Sequence, residues 1–146
     1  MYVIPRAVQE NPVRRWALPD RVFFACGACH ILTWAFLKAY PKSGFVPVWI
    51  KPTPGFPGNH VVAVGNGRAF DYHGYSRFGD LLHHTQEKAS RWWEGWRFEL
   101  VPLPVEALIE PTVARSISGL QLLAPDAFLH DPLARARAFL QRFPEP

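Results

Sequence analysis

Methionine occurs once, at Met1, and cysteine only twice, at Cys26 and Cys29. Two cysteines cannot build a disulfide framework, which agrees with a reducing compartment. No apolar run approaches the roughly 18 residues that a membrane-spanning helix needs. The start of the chain, Met1-Tyr2-Val3-Ile4-Pro5-Arg6, lacks the basic-then-apolar order of a secretory signal. From these absences we expect a soluble, cytoplasmic chain with no membrane partner. There is no internal repeat and no low-complexity segment.

What is present describes one domain spanning 1–146. A chain of 146 residues can enclose one real core. Apolar residues make up 49% and aromatics 14%, with eleven Phe and six Trp, too apolar for disorder. Fifteen prolines imply many short elements and fixed turns, so a plain helical bundle is not expected. The formal charge is +4, and twelve of the sixteen basic residues are Arg. They are scattered, with small clusters at Arg14-Arg15 and Arg135/Arg137/Arg142. Such a pattern gives a weak preference for acidic partners, and no nucleic-acid partner is expected.

The chain is organised around Phe23 to Tyr40, which holds both cysteines. After Cys29 come Ile31, Leu32, Trp34, Ala35, Phe36 and Leu37, apolar on nearly every side of a helix, and such a helix is buried. A thiol in its first turn sits at the positive end of the helix dipole. There the thiolate, which is the nucleophile, is favoured.

In chain order, residues 1–20 read as irregular, with Pro5, Pro12 and Pro19, and Asp20 as a cap or turn residue. Arg21 to Ala25 reads as a short strand or extended lead-in. The buried helix covers about Cys29 to Tyr40 and stops at Pro41. Phe45 to Lys51 is a strand, with Pro47 marking an edge or a start. Pro52 to Asn59, with three prolines and two glycines, is a loop.

His60 to Tyr75 carries the clearest β signal: two strand-like runs around Gly65-Asn66-Gly67. With Asn66-Gly67 as the turn, Gly65 faces Arg68, His60 faces His73, and Asp71 is diagonal to His60. With Gly65-Asn66 as the turn, His60 faces Asp71 directly. Either register puts His60 and Asp71 on one face, because the side-chain period is two.

Ser76 to Ser90 reads as a helix with Phe78, Leu81 and Leu82 inward. Trp96 to Val101 alternates, with Trp96, Phe98 and Leu100 on one side of a strand. Pro104 opens a short helix over Val105 to Ile109. Asp131-Pro132 caps a last helix, Leu133 to Phe143, with Leu133, Ala136, Phe139, Leu140 and Phe143 inside. Helix, then mostly strands, then terminal helices is an α+β order.

Cys26-Gly27-Ala28-Cys29-His30 fits several chemistries. It matches the C-x-x-C-H of c-type haem attachment. That pattern belongs to exported chains, and Met1 is the only methionine to offer as a second ligand. It matches a thioredoxin-like redox pair, but Tyr40 and His60 leave too little chain for the crossover of that fold. A zinc site from Cys26, Cys29, His30, His60 or His73 lacks a second closely spaced pair. In a thiol nucleophile with a His base and an Asp orienter, each piece has its expected context: Cys at the start of a buried helix, His opening a strand, Asp on the next strand. The remaining possibility is two cysteines that merely pack.

Cys26-Gly27-Ala28-Cys29 resembles the nucleophile segment of papain-like cysteine peptidases, C-G-[SA]-C-[WY]. His30 replaces the aromatic residue, and no glutamine stands just upstream. The compact order of Phe23 to Tyr75 is similar to small bacterial members of the wider papain-like and transglutaminase-like superfamily, among them NlpC/P60-type hydrolases, glutamine deamidases and papain-like toxin domains. The resemblance implies an α+β papain-like fold, its buried nucleophile helix packed on a small antiparallel sheet. It implies Cys29 as nucleophile, His60 as base and Asp71 as orienter, acting on an amide bond of a protein or peptide without metal or cofactor. An inhibitor or immunity protein would be a partner if the chain were a toxin domain.

Cys29 is preferred to Cys26 because it directly precedes the apolar run. An oxyanion would be met by the Cys29 N–H and by a side chain not yet placed. His30 caps or packs, and His73 is the second choice of base. His83, His84 and His130 read as surface. Asn59 is either an oxyanion donor or ordinary loop polarity. Trp92, Trp93 and Trp96 either line a groove or seal the core. The reading from another class is a binding module of the same fold with a dead site.

Overall fold

The computed structural model describes residues 2–146. The helices are α1 (Arg6–Gln9), α2 (Pro12–Trp16), α3 (Asp20–Ala25), α4 (Cys29–Ala39), α5 (Phe78–Trp92), α6 (Pro111–Arg115) and α7 (Pro132–Leu140). The strands are β1 (Val46–Pro52), β2 (His60–Gly65), β3 (Arg68–Asp71), β4 (Gly74–Arg77) and β5 (Phe98–Pro102). They form one antiparallel sheet in the order β4-β3-β2-β1-β5. The architecture is α+β, and among the described residues no helix is long and apolar enough to cross a membrane.

Two apolar clusters lie on opposite faces of the sheet, as alternation in β2 demands. Val61 and Ala63 join the larger cluster, with Ile31, Leu32 and Phe36 of α4 and Phe139 of α7. Val62 joins the smaller one, with Ile50, Leu81, Ala89 and Trp96. Eight of the eleven residues of α4 are buried, so it is the central helix that its composition predicts. Phe36 stacks on Phe70 of β3 at 4.5 Å. Thr33 Oγ1 donates to the Val61 carbonyl at 3.2 Å, which ties α4 to β2 by a polar bond as well.

The N-terminal third is more regular than expected. Residues 1–20 contain α1 and α2, because their prolines begin helices rather than interrupt them. Asn11 caps α2 by accepting from the Arg14 N–H at 3.0 Å. Arg21 to Ala25 is helical, not extended. Its apolar run is too short for periodicity to decide between helix and strand. Asp20 is the first residue of α3.

Pro47 lies near the start of β1, which is an inner strand rather than an edge. The proline is tolerated because the ladder to β5 begins only at Val48. A second hairpin turns at Tyr72-His73 into β4, so α5 begins at Phe78 instead of Ser76. In β5, Leu100 points to solvent while Val101 packs beside Trp49, its partner in β1. Trp96 precedes the strand and is fully buried in the smaller cluster. Asp131 caps α7 as expected, accepting from the N–H groups of Leu133 and Ala134.

One side chain fastens the two ends of the chain together. Arg135 of α7 donates to Asp20 Oδ1 at 2.9 Å, to the Trp16 carbonyl at 2.7 Å and to the Leu18 carbonyl at 2.6 Å. Its guanidinium lies 4.0 Å from the Phe23 ring centre. Arg142 adds a second bond to Asp20 at 2.6 Å. The Arg135–Asp20 pair is mostly buried, whereas the Arg6–Glu10 pair is open to solvent. Removing one side of a hydrogen-bonded, desolvated pair is costly, so Arg135→Ala is expected to lower unfolding free energy by about 3 kcal/mol. Arg6→Ala should change it by less than about 0.5 kcal/mol. Urea unfolding followed by tryptophan fluorescence measures both, and equal effects would refute the distinction.

Candidate active site

The bend before α4 is set by a glycine. α3 ends at Ala25, and Gly27 has φ of 109°, which side-chain-bearing residues rarely adopt. Ala28 then caps α4, and Cys29 is its first residue. The Cys29 N–H therefore has no carbonyl partner within its own helix. The side chain is almost enclosed, and Sγ accepts from the Val61 N–H at 3.4 Å. The sulfur thus rests on the second residue of β2, the strand that His60 opens.

The β2–β3 hairpin brings His60 to Asp71. Asn66 and Gly67 form its two-residue turn, both with positive φ, 52° and 71°. Gly65 faces Arg68, the first of the two registers read from the sequence. His60 Nε2 lies 3.0 Å from Asp71 Oδ2. That leaves Nδ1 as the ring nitrogen free to face Cys29, whose thiol the imidazole lowers. The other carboxylate oxygen, Oδ1, accepts from the His73 N–H at 2.8 Å and lies 3.3 Å from His73 Nδ1. Cys29, His60 and Asp71 therefore meet in one connected line, carried by α4, β2 and β3.

Their charges support one another. Burial pushes the Cys29 thiol up, but hydrogen bonds and charge from His30 and His60 outweigh it and bring the thiol down to about 5. Burial pushes the His60 imidazole down, while Asp71 and the Cys29 sulfur pull it up to about 9. For Asp71, burial is outweighed by His60 and His73, which hold its carboxyl well below the usual carboxylate range. The site can thus hold a thiolate and an imidazolium, oriented by a carboxylate.

Cys26 behaves in the opposite way. Burial and the Cys29 charge push its thiol up to about 11, and its S–H donates to the Tyr2 carbonyl at 3.6 Å. His30 is fully buried and packs, with Nε2 2.8 Å from the Leu123 carbonyl. It also supports the Cys29 thiolate, a role that sequence reading missed although the residue is adjacent. His73 reaches Asp71 rather than standing as the base. His83 and His130 are at the surface, and exposed His84 sits on a cleft wall.

The competing chemistries fit less well. The haem pattern needs the His30 Nε2 that faces Leu123. A thioredoxin-like pair needs parallel strands, and every pairing in this sheet is antiparallel. Among the described residues no three His, Cys, Asp or Glu side chains are grouped to hold a metal ion.

A cleft of about 370 Å³ opens at this end of the sheet. His60, Asp71, Asn59 and Gly27 line it, together with Tyr72 and Trp93. Tyr72 packs edge-on to the His60 ring at 5.4 Å, and burial raises its phenol, which stays protonated. Trp93 belongs to the groove, whereas Trp96 seals the core.

The sign of the pH dependence follows from these shifts. His60 is raised, so its share of stability is complete below its ordinary value of 6.5 and is lost as pH rises through about 9. Cys29 is lowered, so its share is complete above its ordinary value of 9.0 and is lost as pH falls through about 5. Both are charged between about 5 and about 9. Iodoacetamide should therefore label Cys29 near neutral pH, its rate rising through about pH 5 and then levelling, while Cys26 stays unmodified. His60→Ala should move the rise to higher pH. Mass spectrometry locates the label; a reactive Cys26, or indifference to His60, would contradict the assignment.

Comparison with known proteins supplies no relative: no family model, no curated protein and no solved structure matches this chain.

Proposed function

We propose that the chain is a papain-like cysteine hydrolase that breaks an amide bond, with Cys29 as nucleophile, His60 as general base and acid, and Asp71 as orienter. The observation that carries this reading is the connected line from Cys29 through His60 to Asp71, built from three separate elements, with His60 and Asp71 on the cleft wall and Cys29 buried behind them. The fold agrees with it. A nucleophile helix packs on an antiparallel sheet, with the base on one strand and its partner on the next.

The thiolate attacks the substrate carbonyl carbon, forming a C–S bond and placing the electron pair on oxygen. As the C–O double bond re-forms, the C–N bond breaks. The departing amine takes the proton from the His60 imidazolium, leaving a thioester on Cys29. Water then attacks the thioester while neutral His60 accepts its proton. The carboxylic acid leaves, and the thiolate–imidazolium pair returns. Attack by an amine in place of water gives transamidation by the same second half. Asp71 holds the ring orientation and stabilises its positive state. None of these steps calls for a metal or organic cofactor.

The substrate in this reading is a protein or peptide, cut at a backbone amide or deamidated at a glutamine side chain. The test is a panel of glutamine-containing peptides, with ammonia release and chain cleavage followed separately. Cys29→Ala should abolish turnover, and Asp71→Asn should reduce kcat by about 10²–10⁴-fold. Cys26→Ser should retain turnover, because this thiol takes no part. Activity that survives Cys29→Ala would end the proposal.

A further inference from the structure

The Pro57–Asn59 segment, just before His60, is held by two buried tryptophans. Trp96 Nε1 donates to the Pro57 carbonyl at 2.8 Å. Trp49 Nε1 donates to Asn59 Oδ1, also at 2.8 Å. Both indoles are at most 1% exposed, so both anchors belong to the core. An indole N–H is a donor only, so the Asn59 oxygen must face it. The amide NH2 then points away from Trp49. Asn59 is exposed, lines the cleft beside His60 and Gly27, and its NH2 has no protein acceptor among the described residues.

The side of the sheet is also right. Alternation gives Asn59 the side of Val61, which is the side of α4, and Trp49 pairs with Val61 across the ladder. The Val61 N–H touches Cys29 Sγ. A fixed amide donor therefore stands two residues along the chain from the backbone that cradles the sulfur.

We propose that Asn59 is a further catalytic residue: its Nδ2–H, together with the N–H of Cys29, receives the negative oxygen that forms when the sulfur adds to a carbonyl. This rests on the thiol-hydrolase reading above. The Trp49 bond fixes the amide before substrate arrives, and donors fixed in advance lose nothing to reorganisation as charge develops. The segment is tied to both cores, which explains why an exposed loop asparagine holds one orientation.

Two reagents separate this role from thiolate formation. Methyl methanethiosulfonate reacts with a thiolate without building an oxyanion. p-Nitrophenyl acetate acylates it through one. In Asn59→Ala, acylation of Cys29 should fall by about 10²-fold while the disulfide-forming rate is unchanged. Asn59→Asp keeps the oxygen that Trp49 needs and removes the donors, so it should acylate at least as slowly. Wild type fast with both reagents and both variants equal to wild type would overturn Asn59 alone. Wild type slow with both would overturn the thiolate reading and this role with it. Loss of both rates in the variants, with unchanged unfolding midpoints, would mean that Asn59 acts on the thiolate itself, and would also overturn the proposal.

Discussion

A buried sulfur and a buried imidazole that favour each other's charge are the condition on which the rest of this structure depends. Each charge alone would be expelled or neutralised by burial. Together, and only with their remaining hydrogen bonds met, they persist. The sulfur has the Val61 N–H and the imidazole has Asp71. The carboxylate has the N–H of His73 on its other oxygen. Losing any one of these would leave a buried charge short of a partner, which costs more than the bond itself contributes.

Holding such a set requires rigid supports on each side. α4 is pinned by apolar contact on nearly its whole surface and by Thr33 on β2. β2 and β3 are locked in register by a turn that admits only residues able to take positive φ at both positions. A one-residue slip of that register would carry Asp71 to the opposite face from His60. The Asn66-Gly67 dipeptide therefore specifies chemistry as well as shape.

Much of this was legible in the residues. The buried helix showed in its unbroken apolar surface, the hairpin in Asn66-Gly67, and the Asp131-Pro132 cap in its residue types. His60 and Asp71 could be paired because a strand's period is fixed whichever of the two turns formed. What escaped was mostly local or tertiary. Residues 1–20 read as irregular, although Asn11-Pro12 carries the same starting chemistry as Asp131-Pro132. Val22-Phe23-Phe24-Ala25 is too short for its period to reveal a helix. Leu100 and Val101 exchanged roles because an edge strand's facing depends on its neighbour, here Trp49. The Val61 and His73 N–H groups leave no trace in sequence at all, since every residue but proline has one.

The Arg135 clamp also bears on when the site comes into being. It joins residues at opposite ends of the chain, through the Trp16–Asp20 corner that leads into α3 and on to Gly27. During synthesis α4 and the β2–β3 hairpin emerge before residue 135 does. Until α7 docks, α4 lacks one wall of its core, and the corner preceding Cys29 is untied. Under the proposed reading, the thiolate therefore forms only once α7 has docked. A ribosome-bound fragment carrying Cys29, His60 and Asp71 would hold all three residues without the enclosure that sets their charges, and the growing polypeptide is spared a premature nucleophile.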